Sequence, residues 1–439
     1  MPVFKRIPFL VFFLSILWIV TAEPCQANYR ILIETDQYRL AKYEPRSGAY
    51  LGAYVFQDTL IQGNMALFNE ITNKKHASFF LYVGYGKPVP TKWLEELKKV
   101  GAFAHIAWEP NDGLDVVKDD AYLRSFARDL AAAEMPVFLR FASEMNGSWT
   151  AYGGDPKKYI EKWRLVHRVM KEEAPNVIMV WTVFTFPQKT ILPFYPGDDY
   201  VDWVGVNIYN VVYHNDDLNQ PAAHEDPLQL LDYVYNHFSE RKPIQISEYG
   251  ATHYTITDGK EYVQFAQEKI SRLYSNLQTK YPRVKSIYYF NVNNLINAPP
   301  GRRINNYCLT DNPQILKTYA ELIQSPHFLT SSAENEEGAL SRELMLVQKP
   351  AYIVNGSTYL PIRELEKHLQ AKITLMNNNR MLKIQKGEQE TRLQLSLNPV
   401  YRGSPRSLYL PLRPIAEHLG YKVIFNQQEK LITVRKNGP

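Results

Sequence analysis

Cysteine is nearly absent from this chain of 439 residues, which contains only Cys25 and Cys308. Two cysteines cannot build the disulfide framework that stabilises small exported domains. The apolar share of 45% is ordinary for a globular protein, and the length is sufficient for more than one domain. We therefore expect the stability of the folded chain to come from the size of its hydrophobic cores.

The chain also lacks a large excess of charge of one sign. The formal net charge is +5, and the Lys and Arg residues are interspersed with Asp and Glu instead of forming a basic run. A nucleic-acid partner is therefore not expected. Clusters of His and Asp, which a deacetylase or another metal hydrolase needs, are missing too. The sequence predicts neither a metal site nor another cofactor.

Long hydrophobic runs are also lacking, because the apolar stretch over residues 7–20 is too short to favour a membrane span. The stretch follows Lys5 and Arg6 and precedes small-residue cleavage options at Ala22 and Ala27, which is the pattern of a secretory signal peptide. We predict a signal peptide over residues 1–27 and a secreted, extracellular protein. An uncleaved membrane anchor is the alternative.

Short apolar strands, in contrast, alternate regularly with helical patterns or long polar loops. Eight such alternations predict an α/β fold and, more narrowly, a (β/α)8 TIM barrel over residues 28–324. The predicted strands are residues 51–56, 77–83, 103–108, 136–144, 177–184, 202–209, 243–248 and 286–292. The predicted helices include residues 93–100, 120–134, 157–173, 228–241, 259–281 and 313–324.

Two of these strands, the fourth and the seventh, end in an acid. Glu144 precedes an Asn-Gly turn, and Glu248 lies just before a glycine. Catalysis in a (β/α)8 barrel occurs at the carboxyl ends of the strands, and a partly desolvated carboxyl there can hold a proton near neutral pH. Two carboxyls about 5 to 5.5 Å apart can cleave a glycosidic bond with retention. The sequence therefore suggests a carboxylate pair.

Side-chain alternation brings further polar groups to the same end of the barrel. Arg140, Ala142 and Glu144 are expected to share one face of the fourth strand, where the arginine can orient a carboxylate or a sugar hydroxyl. Asn207 and Tyr209 are expected to share a face of the sixth strand in the same way. Tyr209 is then predicted to direct its hydroxyl into the mouth of the barrel.

Aromatic residues near the strand ends are candidates for stacking on sugar rings. The chain has 30 Tyr and 7 Trp, most of which are expected to pack cores. The candidates to line substrate subsites are Trp108, Trp149, Tyr152 and Trp181, with core packing as the alternative for each. Glu109, after the third strand, is either an auxiliary acid or a hydrogen-bond partner within its own turn.

Two motifs resemble glycoside hydrolase family 26, whose members include β-mannanases and some β-glucanases and xylanases. Arg140-Phe-Ala-Ser-Glu-Met-Asn-Gly-Ser-Trp149, with Gly153-Gly154, is similar to the acid/base motif of that family, and Ser247-Glu-Tyr-Gly250 is similar to its nucleophile motif. The resemblance covers residues 48–324. It implies that Glu144 is the general acid/base, that Glu248 is the nucleophile and that Tyr209 hydrogen-bonds the nucleophile.

Two positions depart from the family pattern. Ser143 stands where the family usually has His, and Phe290-Asn291 stands where related barrels often have Trp. Both positions belong to the subsite that holds the reacting sugar, so Ser143 is included among the candidate substrate-binding residues.

The resemblance and the signal peptide together predict a secreted, retaining endo-β-glycanase that uses two glutamates in a double displacement, and we expect it to be a monomer. The expected substrate is a β-linked polysaccharide of the β-mannan or mixed-linkage β-glucan class. The alternative is a catalytically impaired barrel that binds polysaccharide at the cell wall, which Ser143 favours.

Residues 325–345 are small, polar and acidic, which predicts an interdomain linker. Beyond it an internal repeat with an offset of 50 (409 − 359) relates Tyr359-Leu-Pro-Ile-Arg363 to Tyr409-Leu-Pro-Leu-Arg413. Each copy is predicted to run from a short helix into a hairpin. Two copies together predict a small α+β domain over residues 346–439.

The repeated segment resembles the domain named for the amino terminus of copper amine oxidases. His368 and His418, one in each copy, have no further ligands nearby in the sequence, so we expect structural histidines and no copper site. By analogy with appended domains of exported proteins, this domain is expected to attach the chain to cell-wall or matrix material.

Overall fold

Two units make up the part of the chain that the computed structural model describes, which is residues 25–26, 29–35, 38–333, 336–347, 349–376, 380–402 and 407–436. One unit is Glu34–Leu346, and the other combines residues up to Ile33 with those from Val347 onwards. The predicted signal peptide lies outside the described residues except for Cys25 and Gln26. Within the described ranges, no helix has the length and apolar character needed to cross a membrane.

Eight parallel strands of the first unit close into a barrel, as predicted. Each strand pairs with the next along the chain, and the last pairs with the first through contacts such as Ile287 with Leu51. The strands are β1 (Ala49–Tyr54), β2 (Ser78–Gly84), β3 (Phe103–Glu109), β4 (Val137–Phe141), β5 (Val177–Phe184), β6 (Trp203–Asn210), β7 (Ile244–Ala251) and β8 (Val284–Phe290).

Helices surround the barrel, except between β5 and β6, where three short 3-10 turns make the connection. Three helices begin with an Asp or Asn cap followed by proline, at Asp155-Pro156, Asp226-Pro227 and Asn312-Pro313, because the side chain accepts a free backbone N–H and proline needs none. The helices are α1 (Met65–Ile71), α2 (Thr91–Val100), α3 (Ala121–Ala131), α4 (Pro156–Glu173), α5 (Pro227–Phe238), α6 (Val263–Tyr274), α7 (Leu277–Lys280), α8 (Asn294–Asn297) and α9 (Pro313–Ile323).

The barrel has an apolar layer outside its strands and a mixed interior. Inside, aromatic residues including Tyr50, Phe138 and Trp203 pack the amino-terminal end. Gly205 lies in the interior, where an added Cβ would be 2.1 Å from Thr182 Oγ1, so only glycine fits without displacement. The packed lower interior leaves the opposite end, where the strands finish, as the open mouth.

The segment predicted as a linker belongs to the barrel unit. Phe328–Leu329 pairs with β1, and Leu340–Ser341 pairs with Tyr38–Arg39. Glu343 also forms an ion pair with Lys285, whose side chain is fully buried. The polar composition of the segment therefore reflects a surface-bound extension of the barrel and not a free connection.

The second unit contains the repeat that the sequence predicts. Strand Ser357–Pro361 pairs antiparallel with Ser407–Pro411 so that Leu360 lies opposite Leu410, its own counterpart in the other copy. Helix α10 (Ile362–Leu369) leads to the hairpin of Lys372–Leu375 and Met381–Lys386, and helix α11 (Leu412–His418) leads to the hairpin of Tyr421–Asn426 and Leu431–Lys436. The two copies thus meet through equivalent strands that pair in a symmetric register.

Strand Arg30–Glu34 precedes β1 in the sequence but does not belong to the barrel sheet. Strand Arg30–Glu34 instead pairs in parallel with Leu431–Val434 over Arg30 to Ile33. Ile31 and Ile33 are buried in the core of the second unit. The alternating apolar side chains of this strand therefore complete a sheet formed by the far end of the chain.

Candidate active site

A cavity of about 820 Å³ opens at the carboxyl ends of the barrel strands, and Glu144 and Glu248 both line it. This is within the range of about 300–1,000 Å³ typical of ligand sites. Its aromatic lining residues include Tyr82, Trp149, Tyr152, Phe184, Tyr209, Phe290 and Tyr307. The cavity therefore combines carboxyl groups with the flat faces on which sugar rings stack.

Glu144 lies three residues beyond the end of β4, in a segment with unusual backbone geometry. Ala142 has φ 46° and Glu144 has φ 59°, both in the left-handed region that non-glycine residues rarely adopt. The Ala142 side chain consequently joins the outer apolar layer, so the expectation that it shares a face with Arg140 is wrong. The N–H of Glu144 donates to Thr182 O at 3.0 Å, which fixes the acid against β5.

The glycine that follows Glu248 had predicted that the strand ends at this acid. In the structure, Glu248 lies within β7, which continues to Ala251. The pairing of β7 with β6 shifts register between Ile246 and Glu248, which marks a bulge. Strict alternation would turn Glu248 to the same side as Ile246, which is buried in the outer layer. The bulge re-aims the side chain so that Glu248 follows Ser247 into the barrel mouth.

Three donors hold the Glu248 carboxylate. Arg140 Nη2 donates to Oε1 at 2.5 Å, Tyr82 Oη donates to the same oxygen at 2.5 Å, and the Tyr209 hydroxyl donates to Oε2. Burial and the charge of Glu248 hold the pKa of both tyrosine hydroxyls well above its usual value, so both keep the proton that they donate. Arg140 is fully buried, and the position of the carboxylate is therefore fixed from two sides.

Glu144 has a different environment, and its pKa is raised to about 7. Burial is the main cause, and the nearby charge of Glu248 adds to it. Asn207 Nδ2 donates to Glu144 Oε1 at 2.7 Å, and Trp149 Nε1 donates to Oε2 at 2.7 Å. These hydrogen bonds oppose the shift without cancelling it, so Glu144 exchanges a proton near neutral pH.

Asn207 and Tyr209 lie on one face of β6, as the alternation predicted, and both line the cavity. Asn207 also connects the two acids, since its Oδ1 accepts from Arg140 Nη1 at 3.3 Å while its amide holds Glu144. Arg140, which holds Glu248, is thereby linked to the Glu144 side of the mouth. The polar residues proposed from strand alternation form one connected network.

Trp149 is 41% exposed and forms part of the cavity wall. Its indole lies over Gly147, where an added Cβ would approach the ring to 2.3 Å. The ring also meets Phe184 edge-on at 5.2 Å between centroids. Gly147, part of the turn that the sequence singled out, is therefore required for the tryptophan to reach Glu144.

Trp108 and Trp181 do not line the cavity, and the expectation that they form subsites is wrong. Both are fully buried in the layer between strands and helices. Trp108 stacks on Phe126 at 4.2 Å, and Trp181 packs edge-on against Phe238 at 5.6 Å. Each precedes a cavity residue by one or three positions, so alternation turns it to the outside.

Ser143 and Tyr152 line the cavity beside Glu109 and donate hydrogen bonds to its carboxylate. Ser143 Oγ donates to Glu109 Oε1 at 2.6 Å, and the Tyr152 hydroxyl donates to Oε2. All three residues line the cavity with Glu144. Glu109 thus contacts side chains well beyond its own turn. Phe290 also lines the cavity, with its ring stacked on Tyr54 at 5.5 Å.

Tyr82 is the main residue that the sequence reading missed. It lies on β2, where Phe80 packs inside the barrel and Leu81 in the outer layer, so alternation directs Tyr82 inwards near the strand end. The same rule that located Tyr209 would have found it. Phe184 and Tyr307 were missed as well; Tyr307 follows the short strand Asn305–Asn306, which has no pattern in the sequence.

In the described part of the chain, no group of three His, Cys, Asp or Glu side chains is arranged to hold a metal ion. The carboxyls of the cavity are engaged by hydroxyl, amide, indole and guanidinium donors instead. The chemistry that these side chains can supply themselves is proton transfer and nucleophilic attack by carboxyl groups.

A (β/α)8 barrel with an aromatic-walled mouth and two differently held glutamates has the architecture of a glycoside hydrolase. Residues 111–275 match the model of glycosyl hydrolase family 26, and residues 341–405 match that of the copper amine oxidase N-terminal domain. The chain therefore carries a family 26 glycoside hydrolase domain followed by a copper amine oxidase N-terminal domain. The first match includes both glutamates, and the second covers the first repeat copy.

Individual relatives share parts of the chain. A β-1,3-xylanase of a Vibrio species is 28% identical over 144 residues, which are 32% of this chain and 28% of the relative. Endoglucanase H of Acetivibrio thermocellus is 25% identical over 243 residues, 51% of this chain and 24% of the relative. The chain thus spans less than a third of these relatives. A solved family 26 β-mannanase from Bacteroides ovatus is 13% identical to this chain, with a TM-score of 0.43. The aligned region covers 67% of this chain and 93% of the mannanase.

Proposed function

We propose that the chain is a retaining endo-β-glycanase in which Glu144 is the general acid/base and Glu248 is the nucleophile. The observation that carries this proposal is the unequal holding of the two carboxyls in one cavity. Glu248 accepts hydrogen bonds from Arg140, Tyr82 and Tyr209, whereas the pKa of Glu144 is raised to about 7. One group is oriented to attack and the other can carry a proton.

In the first step, a Glu248 oxygen attacks the anomeric carbon while the bond from that carbon to the glycosidic oxygen breaks. The Glu144 carboxyl gives its proton to the departing oxygen. Loss of that proton leaves Glu144 as a carboxylate, which the Asn207 amide and the Trp149 indole stabilise by donating to its two oxygens.

In the second step, the Glu144 carboxylate takes a proton from water, and the water oxygen bonds to the anomeric carbon. The bond between that carbon and Glu248 breaks, and Glu248 returns to the hydrogen bonds of Arg140, Tyr82 and Tyr209. Two inversions at the same carbon give net retention of configuration.

The proposed substrate is a β-linked polysaccharide of the β-mannan or mixed-linkage β-glucan class. A cavity of about 820 Å³ with aromatic side chains on several walls supports binding of more than one sugar ring, and hence cleavage within a chain. Relatives with the names xylanase and endoglucanase extend the polymers to be tested to β-1,3-xylan and other β-glucans.

The test is reducing-sugar release from β-mannan, mixed-linkage β-glucan, β-1,3-xylan and bacterial exopolysaccharide, with Glu144→Gln and Glu248→Gln as variants. We expect one polymer to be cleaved and both variants to lose activity by several orders of magnitude. Proton NMR of the first product is expected to show the β-anomer. Glu95→Gln, on the exposed side of α2, is the matched control and should retain full activity.

Binding of a polymer without cleavage by the native chain would contradict the proposal and support the alternative, a polysaccharide-binding barrel. Release of the α-anomer as first product would contradict the double displacement while leaving the hydrolase assignment intact. Full activity in either glutamine variant would remove that residue from its proposed role.

A further inference from the structure

Glu109 is a third carboxyl group in the catalytic cavity, and the proposed mechanism does not use it. It is the last residue of β3, and its side chain is half-buried among the residues that line the cavity with Glu144 and Glu248. Within the described residues, no Lys, Arg or His nitrogen lies within ion-pair distance of this carboxylate. Burial raises the pKa of Glu109, and the charge of Arg140, from beyond ion-pair distance, opposes that rise together with the hydrogen bonds from Ser143 and Tyr152.

The hydrogen-bond donors that contact the Glu109 carboxylate come from two residues, Ser143 and Tyr152. Oε1 accepts from Ser143 Oγ at 2.6 Å, while Oε2 accepts from the Tyr152 hydroxyl and from Ser143 N at 3.3 Å. A carboxylate has about four acceptor positions, so three are occupied and one remains on Oε1. Because Glu109 lines the cavity, this remaining position is available to a donor on a bound molecule.

The two partners of Glu109 flank the acid/base on both sides in sequence. Ser143 immediately precedes Glu144, and Tyr152 follows Trp149 in the loop that forms the cavity wall. Glu109 therefore faces the part of the cavity that adjoins Glu144. A sugar held there offers hydroxyl donors, and a carboxylate binds such donors more strongly than a neutral acceptor does.

We propose that Glu109 is a substrate-binding residue that accepts a hydrogen bond from a sugar hydroxyl beside Glu144, with Ser143 and Tyr152 holding its carboxylate in position. This inference rests on the proposed function, since it assumes a carbohydrate in the cavity. It also gives Ser143 a role, because a small hydroxyl side chain at this position is what reaches Glu109.

The test separates binding from turnover by using the inert Glu248→Gln chain. Titration calorimetry with manno-, mixed-linkage gluco- and β-1,3-xylo-oligosaccharides identifies the one that binds. Adding Glu109→Gln is expected to weaken that binding at least tenfold, because a charged acceptor is replaced by a neutral one of the same shape. Ser143→Ala and Tyr152→Phe are expected to weaken it by a smaller factor, and Glu95→Gln not at all.

In the active chain, Glu109→Gln is expected to raise KM more than it lowers kcat. A fall in kcat with unchanged oligosaccharide affinity would make Glu109 a positioning residue for the Glu144 loop and overturn the proposal. Affinity within twofold of the parent, or no binding of any oligosaccharide, overturns it as well. Absence of polysaccharide cleavage by the native chain, with binding lost in Glu109→Gln, would overturn the proposed function and leave Glu109 as a sugar ligand.

Discussion

At the scale of single residues, the proton on Glu144 depends on a balance between burial and hydrogen bonding. Burial and the charge of Glu248 raise the pKa of Glu144 to about 7, while Asn207 and Trp149 donate to the charged form and lower it. A general acid works best when its pKa lies near the operating pH. The indole of Trp149 therefore has two effects, since it forms a wall of the cavity and adjusts the acidity of the catalytic group.

This balance predicts the alkaline side of the pH profile. Because Glu144 must carry a proton, kcat/KM is expected to fall as pH rises through about 7. Trp149→Phe removes a donor that stabilises the carboxylate, so the pKa of Glu144 should rise and the fall should occur at higher pH. Profiles of both enzymes on one polysaccharide test this, with Trp93→Phe on α2 as the control. An unchanged profile in Trp149→Phe would contradict the assignment.

The same shift has a consequence for stability. The folded chain binds the Glu144 proton more tightly than the unfolded chain, whose carboxyl has the ordinary pKa of 4.5. The contribution of this proton to the free energy of unfolding is therefore fully present below about pH 4.5. It declines as pH rises to about 7, by ~3 kcal/mol at most. Glu144→Gln cannot lose a proton, so its advantage over the native chain in urea unfolding should grow over this interval. Glu95→Gln should show no such growth.

At the scale of elements, both glutamates are aimed by departures from regular strand geometry. Glu248 faces the mouth because of the bulge after Ile246, and Glu144 does so after the left-handed Ala142. A sequence pattern assumes period two and contains no sign of a bulge. The sequence therefore assigned Glu248 to the correct strand and Glu144 to the correct end of the barrel, but it extended β4 as far as Glu144, placed Ala142 on the wrong face and put Glu248 at the end of its strand.

Regular stretches were predictable for the opposite reason. On β6 no register shift separates Asn207 from Tyr209, so alternation placed both correctly. The same rule failed for Trp108 and Trp181 only because nearness to a strand end was used without the face. Loop residues such as Tyr307 depend on long-range packing against Phe290 and Tyr209, which no local pattern records.

The β6 packing predicts a sensitive position at Gly205. An added Cβ would lie 2.1 Å from Thr182 Oγ1 and 2.5 Å from Ser247 Oγ, so Gly205→Ala forces neighbouring strands apart. We expect a loss of ~1–3 kcal/mol in unfolding free energy, measured by urea denaturation, together with reduced activity from the displaced Asn207. Combining it with Thr182→Ala and Ser247→Ala should restore part of the loss. A Gly205→Ala chain as stable as the native one would refute the packing constraint.

At the scale of the whole molecule, the cavity is formed by one unit alone. Its lining residues run from Tyr82 to Tyr307, all within Glu34–Leu346, and this unit has its own core. Residues 34–346 expressed alone are therefore expected to fold and to keep kcat and KM within about twofold of the full chain. Steady-state kinetics on the identified polysaccharide decide this, and an inactive but folded fragment would show that the second unit contributes to the site.

The second unit is proposed to attach the chain to cell-wall or matrix material. Full-length chain is expected to sediment with purified cell walls, whereas residues 34–346 should remain in solution. Removing only the residues from Val347 onwards is a less clean test, because it leaves Arg30–Ile33 without the strand with which it pairs. Equal sedimentation of both proteins would contradict the attachment role.

The pairing of Arg30 with Leu431 joins positions that are 401 residues apart (431 − 30). During synthesis the first of these strands emerges early, and its partner emerges only after the barrel and both repeat copies. Closing so long a loop costs conformational entropy before any contact is gained, so this strand pair is expected to form slowly. The barrel strands, in contrast, pair with their neighbours in the sequence. The barrel is thus expected to mature first. Until the last hairpin is made, the apolar strand at the start of the chain is an open edge, the kind of surface on which chains aggregate.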